Sequence, residues 1–498
     1  MKKLKFPSAQ TVLIIICAFV AILTWLIPAG KYDTLIYDKE GNNFTVVKTS
    51  GVKTIPATQE SLNELQIKIP IEKFINGNIW KPISIPNTYK QVNAKPQGIA
   101  AFIQSPIKGV IEAADIIFLV LIIGGLIGIM NLTGAFDAGI AWLAVALKGK
   151  EFILIILVTT LIALGGTTFG LAEETIAFYP ILIPVFLAAK YDAIVALASV
   201  YIGSSIGSMM STTNPFCTII ASDSAGINWT DGLNGRLMMF ASGLAICIIY
   251  ILRYAKRVKN DPRKSLIFDQ KEAIENMFKH NIDKKNIVLT GRLRLILLVF
   301  MMSFVIMIYG VSQLEWWFVE MTSVFLAGAI VIGFIAKINE MKFVEAFVKG
   351  SSDLLGVAFI IGIARGVTIL MNEGMISDTI LFYASNATDG MNKGIFINTM
   401  FYIYSGLSFF IPSTSGMAVL TMPIMSPLAD TVGIGRELIV NAYQFGVGLF
   451  NFINPTGLIL ASLAIVKVGF NKWLKFVMPL VIILALFSML VLTISVYL

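Results

Sequence analysis

The residues able to do chemistry stand in four polar knots set in otherwise apolar sequence. Two are hydroxyl-rich reversals: Gly165-Gly166-Thr167-Thr168-Phe169-Gly170-Leu171-Ala172-Glu173-Glu174-Thr175 and Pro412-Ser413-Thr414-Ser415-Gly416, each followed by an apolar arm carrying Pro-x-x-x-Pro. The other two are Asn-Pro breaks, Ser211-Thr212-Thr213-Asn214-Pro215 and Asn451-Phe452-Ile453-Asn454-Pro455-Thr456-Gly457. Proline lacks the N–H that a continuous helix needs and clashes with the turn before it, so a helix broken there leaves carbonyls and N–H groups free. Carbonyl ends suit a cation; the N-terminal ends of half-helices draw carboxylates. The expected substrate-binding set is Thr167, Thr168, Glu173, Glu174, Thr213, Asn214, Ser413, Thr414, Ser415, Asn454 and Thr456, and the expected sodium ligands are Ser211, Thr212, Asn214, Asn451 and Asn454. A carboxylate at membrane depth is costly unless paired. Glu173 and Glu174 therefore suit a proton carrier or the partner of a cationic substrate group, or else a loop that reaches water. Arg365 lies well inside an apolar run and calls for an anion, either substrate or a protein carboxylate such as Glu373 or Asp353.

The elements that must position these knots follow from composition. Of 498 residues 56% are hydrophobic and 14% charged, against about one-quarter charged in soluble chains. Uncharged runs such as Thr11 to Ile27, Ile116 to Ile129, Leu295 to Ile308 and Val477 to Val496 approach the roughly 20 apolar residues of a bilayer-crossing helix. The fold class is an all-α polytopic membrane protein; barrel strands would alternate apolar and polar residues instead.

The single histidine, His280, lies in the most polar part of the chain, and Cys17, Cys217 and Cys247 lie apart in apolar runs. Disulfide scaffolding, zinc or haem ligation and histidine catalysis are excluded on those grounds. HExxH does not occur and no paired acids stand with a histidine, so no enzyme and no cofactor is expected. The net charge of +8 is carried mainly by loops between apolar spans and reads as the positive-inside bias, with the lipid bilayer rather than nucleic acid as partner.

That bias sets the expected topology, in the cytoplasmic (inner) membrane of a bacterium. The basic start, Met1 to Lys5, is cytoplasmic, and residues 1–29 form a retained anchor rather than a cleaved signal. Residues 30–107 are extracytoplasmic, with strand-like and turn-like pieces; the basic stretch 253–294 is a cytoplasmic loop within connecting spans 223–348. Segments 108–222 and 349–466 are two repeats, and 467–498 is a final helix, giving about thirteen crossings.

The repeat is read from ordered matches. Gly109, Glu112, Met130 and Asn131 recur 241 positions later as Gly350, Asp353, Met371 and Asn372. Pro180 and Pro184 recur as Pro423 and Pro427, and Asn214-Pro215 as Asn454-Pro455, with two or three residues of drift. Three spans between the copies would turn them upside down relative to each other, the usual plan of a secondary transporter with one midplane site. In that plan the two reversals are re-entrant hairpins and the Asn-Pro knots are broken transmembrane helices.

The stretch Leu23 to Tyr32, the reversal from Gly165 to Pro184 and the knots Ser211 to Pro215 and Asn451 to Gly457 together resemble the YfcC branch of the anaerobic C4-dicarboxylate carrier (DcuC) family, over nearly the whole chain. The resemblance implies an inverted-repeat carrier with two hairpins and two broken helices, coupling to sodium or protons, and a homodimer. Sodium-coupled dicarboxylate relatives carry Ser-Asn-Thr at their tips, whereas these tips read Thr167-Thr168-Phe169-Gly170 and Ser413-Thr414-Ser415. The expected substrate is a small carboxylate-bearing metabolite, an amino acid of the arginine or ornithine type taken up or exchanged. The alternatives are a C4-dicarboxylate such as succinate or fumarate in the same fold, and an ion channel.

Overall fold

A computed structural model describes residues 7–48, 51–79, 81–146, 149–278, 289–314, 316–388 and 390–498. His280, the start of the chain through Lys5, and Lys279, Lys284 and Lys285 of the basic loop lie outside the described residues.

Helix α1 (Ala9–Leu26) is apolar on all sides and starts where the Ser8 hydroxyl accepts from the Thr11 N–H. After it the chain leaves the helical body and builds a cap. Strands β1 (Gly30–Lys31), β2 (Thr34–Asp38), β3 (Asn43–Lys48), β4 (Gly51–Pro56), β5 (Ile83–Ser84) and β6 (Lys90–Gln91), with short helices α2 (Gln59–Glu64) and α3 (Glu72–Ile75), make two antiparallel sheets, β4-β3-β2-β5 and β1-β6. Side chains alternate across a strand, so Phe44 and Val46 of β3 point inward. They pack with Leu35, Ile83 and Phe74 into a small core of the cap's own, the Phe44 and Phe74 rings meeting edge to face at 5.2 Å. The all-α description therefore holds for the helical body, and the segment before it carries the sheets.

The body consists of two matching series of helices. The first runs α4 (Ile99–Glu112), α5 (Ala114–Thr133), α6 (Ala135–Ala146), α7 (Phe152–Thr168), a tight turn Glu173–Phe178 continuing into α8 (Tyr179–Ala188), α9 (Ala193–Met209), and a wide turn Pro215–Ile219 continuing into α10 (Ile220–Ser224). Helices α11 (Leu233–Asn260), α12 (Lys271–Phe278), α13 (Gly291–Gln313) and α14 (Phe318–Ala336) follow. The second series is α15 (Glu340–Asp353), α16 (Leu355–Glu373), α17 (Ser377–Asn386), α18 (Lys393–Phe410), α19 (Thr414–Val432), α20 (Arg436–Asn451) and α21 (Ile459–Val466), before the final α22 (Phe470–Tyr497). The series match element by element, each starting with the helix that carries Gly109 or Gly350.

Packing repeats with the order. Helix α4 lies along α16 and α15 along α5; α7 lies along α9 and α18 along α20; α10 meets α19 and α21 meets α8. Small residues allow the exchange, because without Cβ atoms two backbones approach closely. A side chain on Gly109 would overlap the Gly362 carbonyl and lie 2.7 Å from the Gly366 nitrogen; on Gly350 it would overlap the Gly124 carbonyl and lie 2.8 Å from the Gly128 nitrogen.

Among the described residues, seven helices are long and apolar enough to cross a membrane: α1, α5, α11, α13 up to Val311, α14, α16 and α22. That is fewer than the thirteen crossings expected from apolar runs. Helices α7 and α9, at 17 residues each, are apolar but shorter, and α9 is buried along nearly its whole length. A helix enclosed by protein need not present a full lipid-facing length.

Candidate functional site

Both Asn-Pro knots interrupt helices, and in the same way. At Asn214 the side-chain amide donates to the Gly166 carbonyl at 3.0 Å, and the side-chain oxygen accepts the Phe216 N–H at 2.8 Å. At Asn454 the amide donates to the Ser408 carbonyl at 2.9 Å, and the oxygen accepts the Thr456 N–H at 3.0 Å. Asn214 thus caps the wide turn Pro215–Ile219, Asn454 closes the turn that leads to α21, and each ties its break to the last turns of α7 or α18. Pro215 stands at the first position after Asn214, where its missing N–H costs nothing.

The reversals are shorter than the sequence implied. Gly165, Gly166, Thr167 and Thr168 are still helical in α7, because their carbonyls and hydroxyls bond to the Asn214 knot, so the open turn is Phe169–Ala172. In the second copy α18 ends at Phe410 and α19 starts at Thr414, with the Ser413 hydroxyl accepting the Gly416 N–H at 3.2 Å.

These turns and breaks enclose a cavity of about 400 Å³. Its wall takes Gly170, Ala172, Glu173, Glu174 and Thr175 from the first turn, Pro412 to Ser415 from the second, Asn214, Phe216 and Cys217 from the first break, and Asn451, Thr456, Gly457 and Leu458 from the second. The opposite wall comes from α4, α5 and α16, with Glu112, Asp115 and Arg365, and from the α13–α14 junction, with Trp316 and Trp317. Lys81 reaches in from the cap and donates to the Ser415 hydroxyl at 2.7 Å. Four carboxylates therefore share the wall with two cations.

Of the residues singled out in the sequence, Glu173, Glu174, Asn214, Ser413, Thr414, Ser415, Asn451, Thr456 and Arg365 line the cavity. Thr167, Thr168, Ser211, Thr212, Thr213 and Asn454 stand back from it. Thr167 bonds to Thr212 at 3.2 Å and to the Met210 carbonyl at 3.3 Å; the Thr168 hydroxyl donates to Leu164, that of Thr213 to the Thr168 carbonyl, and Ser211 pairs with Thr218. The hydroxyls of Thr167, Thr212 and Thr213 hold the first break against α7, that of Thr168 bonds within α7, and that of Ser211 closes the break itself. Among the described residues no group of three or more histidine, cysteine, aspartate or glutamate side chains is arranged to hold a metal ion.

Arg365 pairs with neither carboxylate named from the sequence. Its Nε lies 3.0 Å from Glu112 Oε1, and Glu373 is held by Lys108 at 2.5 Å. Both pairs cross the contact of α4 with α16, which the glycines bring close. In the sequence Glu112 stands out only as a repeat match, and Asp115, Trp316, Trp317 and Lys81 do not stand out as site residues. An acid at the end of an apolar run was a usable signal for Glu112 and Asp115; Lys81 sits in a segment with no pattern pointing inward.

The model of the family described as DcuC, C4-dicarboxylate anaerobic carrier, matches residues 6–497. The chain is 44% identical over 498 residues to a protein of Haemophilus influenzae named only as uncharacterized, covering 99% of this chain and 98% of that one. It is 29% identical over 493 residues to YfcC of Escherichia coli, whose name offers basic amino acid antiport as a suggestion, covering 94% and 92%. Similar solved structures are the YdaH transporter of Alcanivorax borkumensis, 13% identical with 98% of each chain covered and a TM-score of 0.40, and MtrF of Neisseria gonorrhoeae, described with a class of antimetabolite efflux pumps, 15% identical with 99% and 96% covered and a TM-score of 0.39.

Proposed function

The chain belongs to the DcuC family of C4-dicarboxylate anaerobic carriers and is a multi-pass membrane transporter; we propose that it is a secondary active carrier of a small amino acid with a cationic side chain, of the arginine or ornithine type, by exchange or ion-coupled uptake. The observation that carries this reading is the charge of the cavity. Glu112, Asp115, Glu173 and Glu174 face Lys81 and Arg365, an acidic excess in a space of about 400 Å³, within the range of small-ligand sites. A dicarboxylate would add two further negative charges to that excess; a basic amino acid brings two positive groups and one negative. Trp316, Trp317 and Phe216 add ring faces, Phe216 and Trp317 meeting edge to face at 5.5 Å, and such faces attract cations.

In this reading the two copies are inverted, their turns are re-entrant hairpins, and alternating access exposes the cavity to one side and then the other. The coupling ion is sodium held by hydroxyls and open carbonyls at the breaks, or a proton on Glu173 or Glu174. The membrane is the cytoplasmic one of a bacterium, with the N-terminus inside, and the carrier works as a homodimer. Counterflow in proteoliposomes tests the substrate: arginine or ornithine on the inside should drive accumulation of labelled arginine, saturating and faster than with succinate. Accumulation driven by succinate or fumarate alone would move the assignment to a C4-dicarboxylate. Replacing both Glu173 and Glu174 by glutamine should lower arginine exchange by at least about tenfold, the worth of one charge-assisted contact.

A further inference from the structure

Lys81 belongs to neither copy. It comes from the cap, yet its ammonium group lies in the cavity wall and donates to Ser415 in the first turn of α19 at 2.7 Å. The only other cation on the wall among the described residues is Arg365, which is engaged with Glu112 at 3.0 Å. The two cations influence each other: burial first, and then the charge of Arg365, lower the pKa of Lys81. A carboxylate brought between them would replace that repulsion with attraction on both sides, while Glu173 and Glu174 stand ready for a positive group elsewhere on the wall.

We propose that Lys81 is the receptor for the substrate's carboxylate, so that the site is complete only when the cap stands over the second turn. The proposal rests on the cavity being the transport site, as argued above. A lysine suits the role because its compact charge carries three donors and tolerates carboxylates of different orientation. The cap is held in place without this residue, through Lys68 to Asp430 at 2.8 Å and Lys73 to Asp223 at 2.6 Å, so a substitution at 81 leaves its docking intact.

The test is binding to the purified full-length protein, read by calorimetry, with three probes: arginine, agmatine (the same guanidinium without a carboxylate) and succinate. Lys81→Gln should weaken arginine by about tenfold or more, Lys81→Arg should retain most of the affinity, and agmatine should bind both variants as it binds the wild type. Lys81→Cys keeps the proposal testable if the glutamine variant does not fold. Arginine binding should be lost in it, regained when the thiol is aminoethylated and not when it is methylthiolated; Cys217→Ala is the background for this variant, because Cys217 lines the same cavity, whereas Cys17 and Cys247 are buried away from it. Unchanged affinity for both carboxylates in Lys81→Gln would overturn the proposal, as would agmatine weakening as much as arginine, or no binding of either carboxylate to the wild type. Binding of succinate but not arginine would reject the basic amino acid reading alone, and the effect of Lys81→Gln on succinate would still decide the role of Lys81.

Discussion

Asn214 and Asn454 do one job twice, each with a donor bond to a helix end and an acceptor bond from the residue two positions on. Both are buried, so alanine at either site leaves a carbonyl and an N–H without partners, a cost of about 1–3 kcal/mol for each orphaned group. Asn214→Ala and Asn454→Ala should therefore lower the melting temperature and abolish exchange, and a melting curve beside a transport assay would measure both. Wild-type exchange in both variants would separate the breaks from function. The sequence exposed these residues because Asn-Pro inside an apolar run has few structural uses. It did not reveal which neighbouring hydroxyls face inward, since a hydroxyl carries no mark in the sequence of whether it bonds the break, as those of Thr167, Thr212 and Thr213 do, or belongs to a residue of the cavity wall, as with Thr414 and Thr456. Lys81 was invisible for a similar reason: only the folded cap brings it to Ser415.

Among elements, the contact of α4 with α16 and of α15 with α5 was legible in part. The recurrence of Gly109 as Gly350 marked the same place in both copies, but nothing in a linear comparison said that each glycine would meet the other copy. The boundaries of the turns were less legible. The sequence suggested a reversal starting at Gly165, and α7 continues to Thr168, because glycine and threonine are tolerated in a helix whose flank is packed against α9 and the Asn214 knot. The close approach predicts a strong response to size. Gly350→Leu should push α15 off α5, with a loss of about 1–3 kcal/mol for an overfilled contact, whereas Gly356→Ala on the same copy, where no atom lies within 4 Å, should be neutral. Unfolding in graded denaturing detergent would compare the two, and equal stability would deny that the glycines set the helix spacing.

Over the whole molecule, membrane character and duplication were plain from hydropathy and spacing, because both are written as long patterns. The cap was legible only as a polar segment with strand-like and turn-like pieces, since short strands and turns leave weak signals and its docking depends on scattered single residues. Those residues tie it on two sides. On one, the Thr24 hydroxyl at the end of α1 accepts the Gln97 N–H at 2.8 Å, Tyr32 donates its N–H to Asp378 at 2.9 Å, and Tyr89 stacks on Phe382 at 4.1 Å. On the other, Lys68 and Lys73 reach Asp430 at the end of α19 and Asp223 in α10.

The two lysine tethers differ in their access to water, and that difference has a kinetic meaning. Lys68 and Asp430 are 59% and 39% exposed, whereas Asp223 is fully buried. Electrolyte shortens the reach of the first pair, with a Debye length of about 10 Å at 0.1 M falling to about 3 Å at 1 M, and leaves the second nearly untouched. If the α19 unit must part from the cap during each cycle, the protein has a brake that responds to ionic strength in one compartment only. Raising potassium chloride on the cap's face of oriented vesicles should quicken exchange, the same addition on the opposite face should do nothing, and Asp430→Asn should run fast from the outset and ignore both.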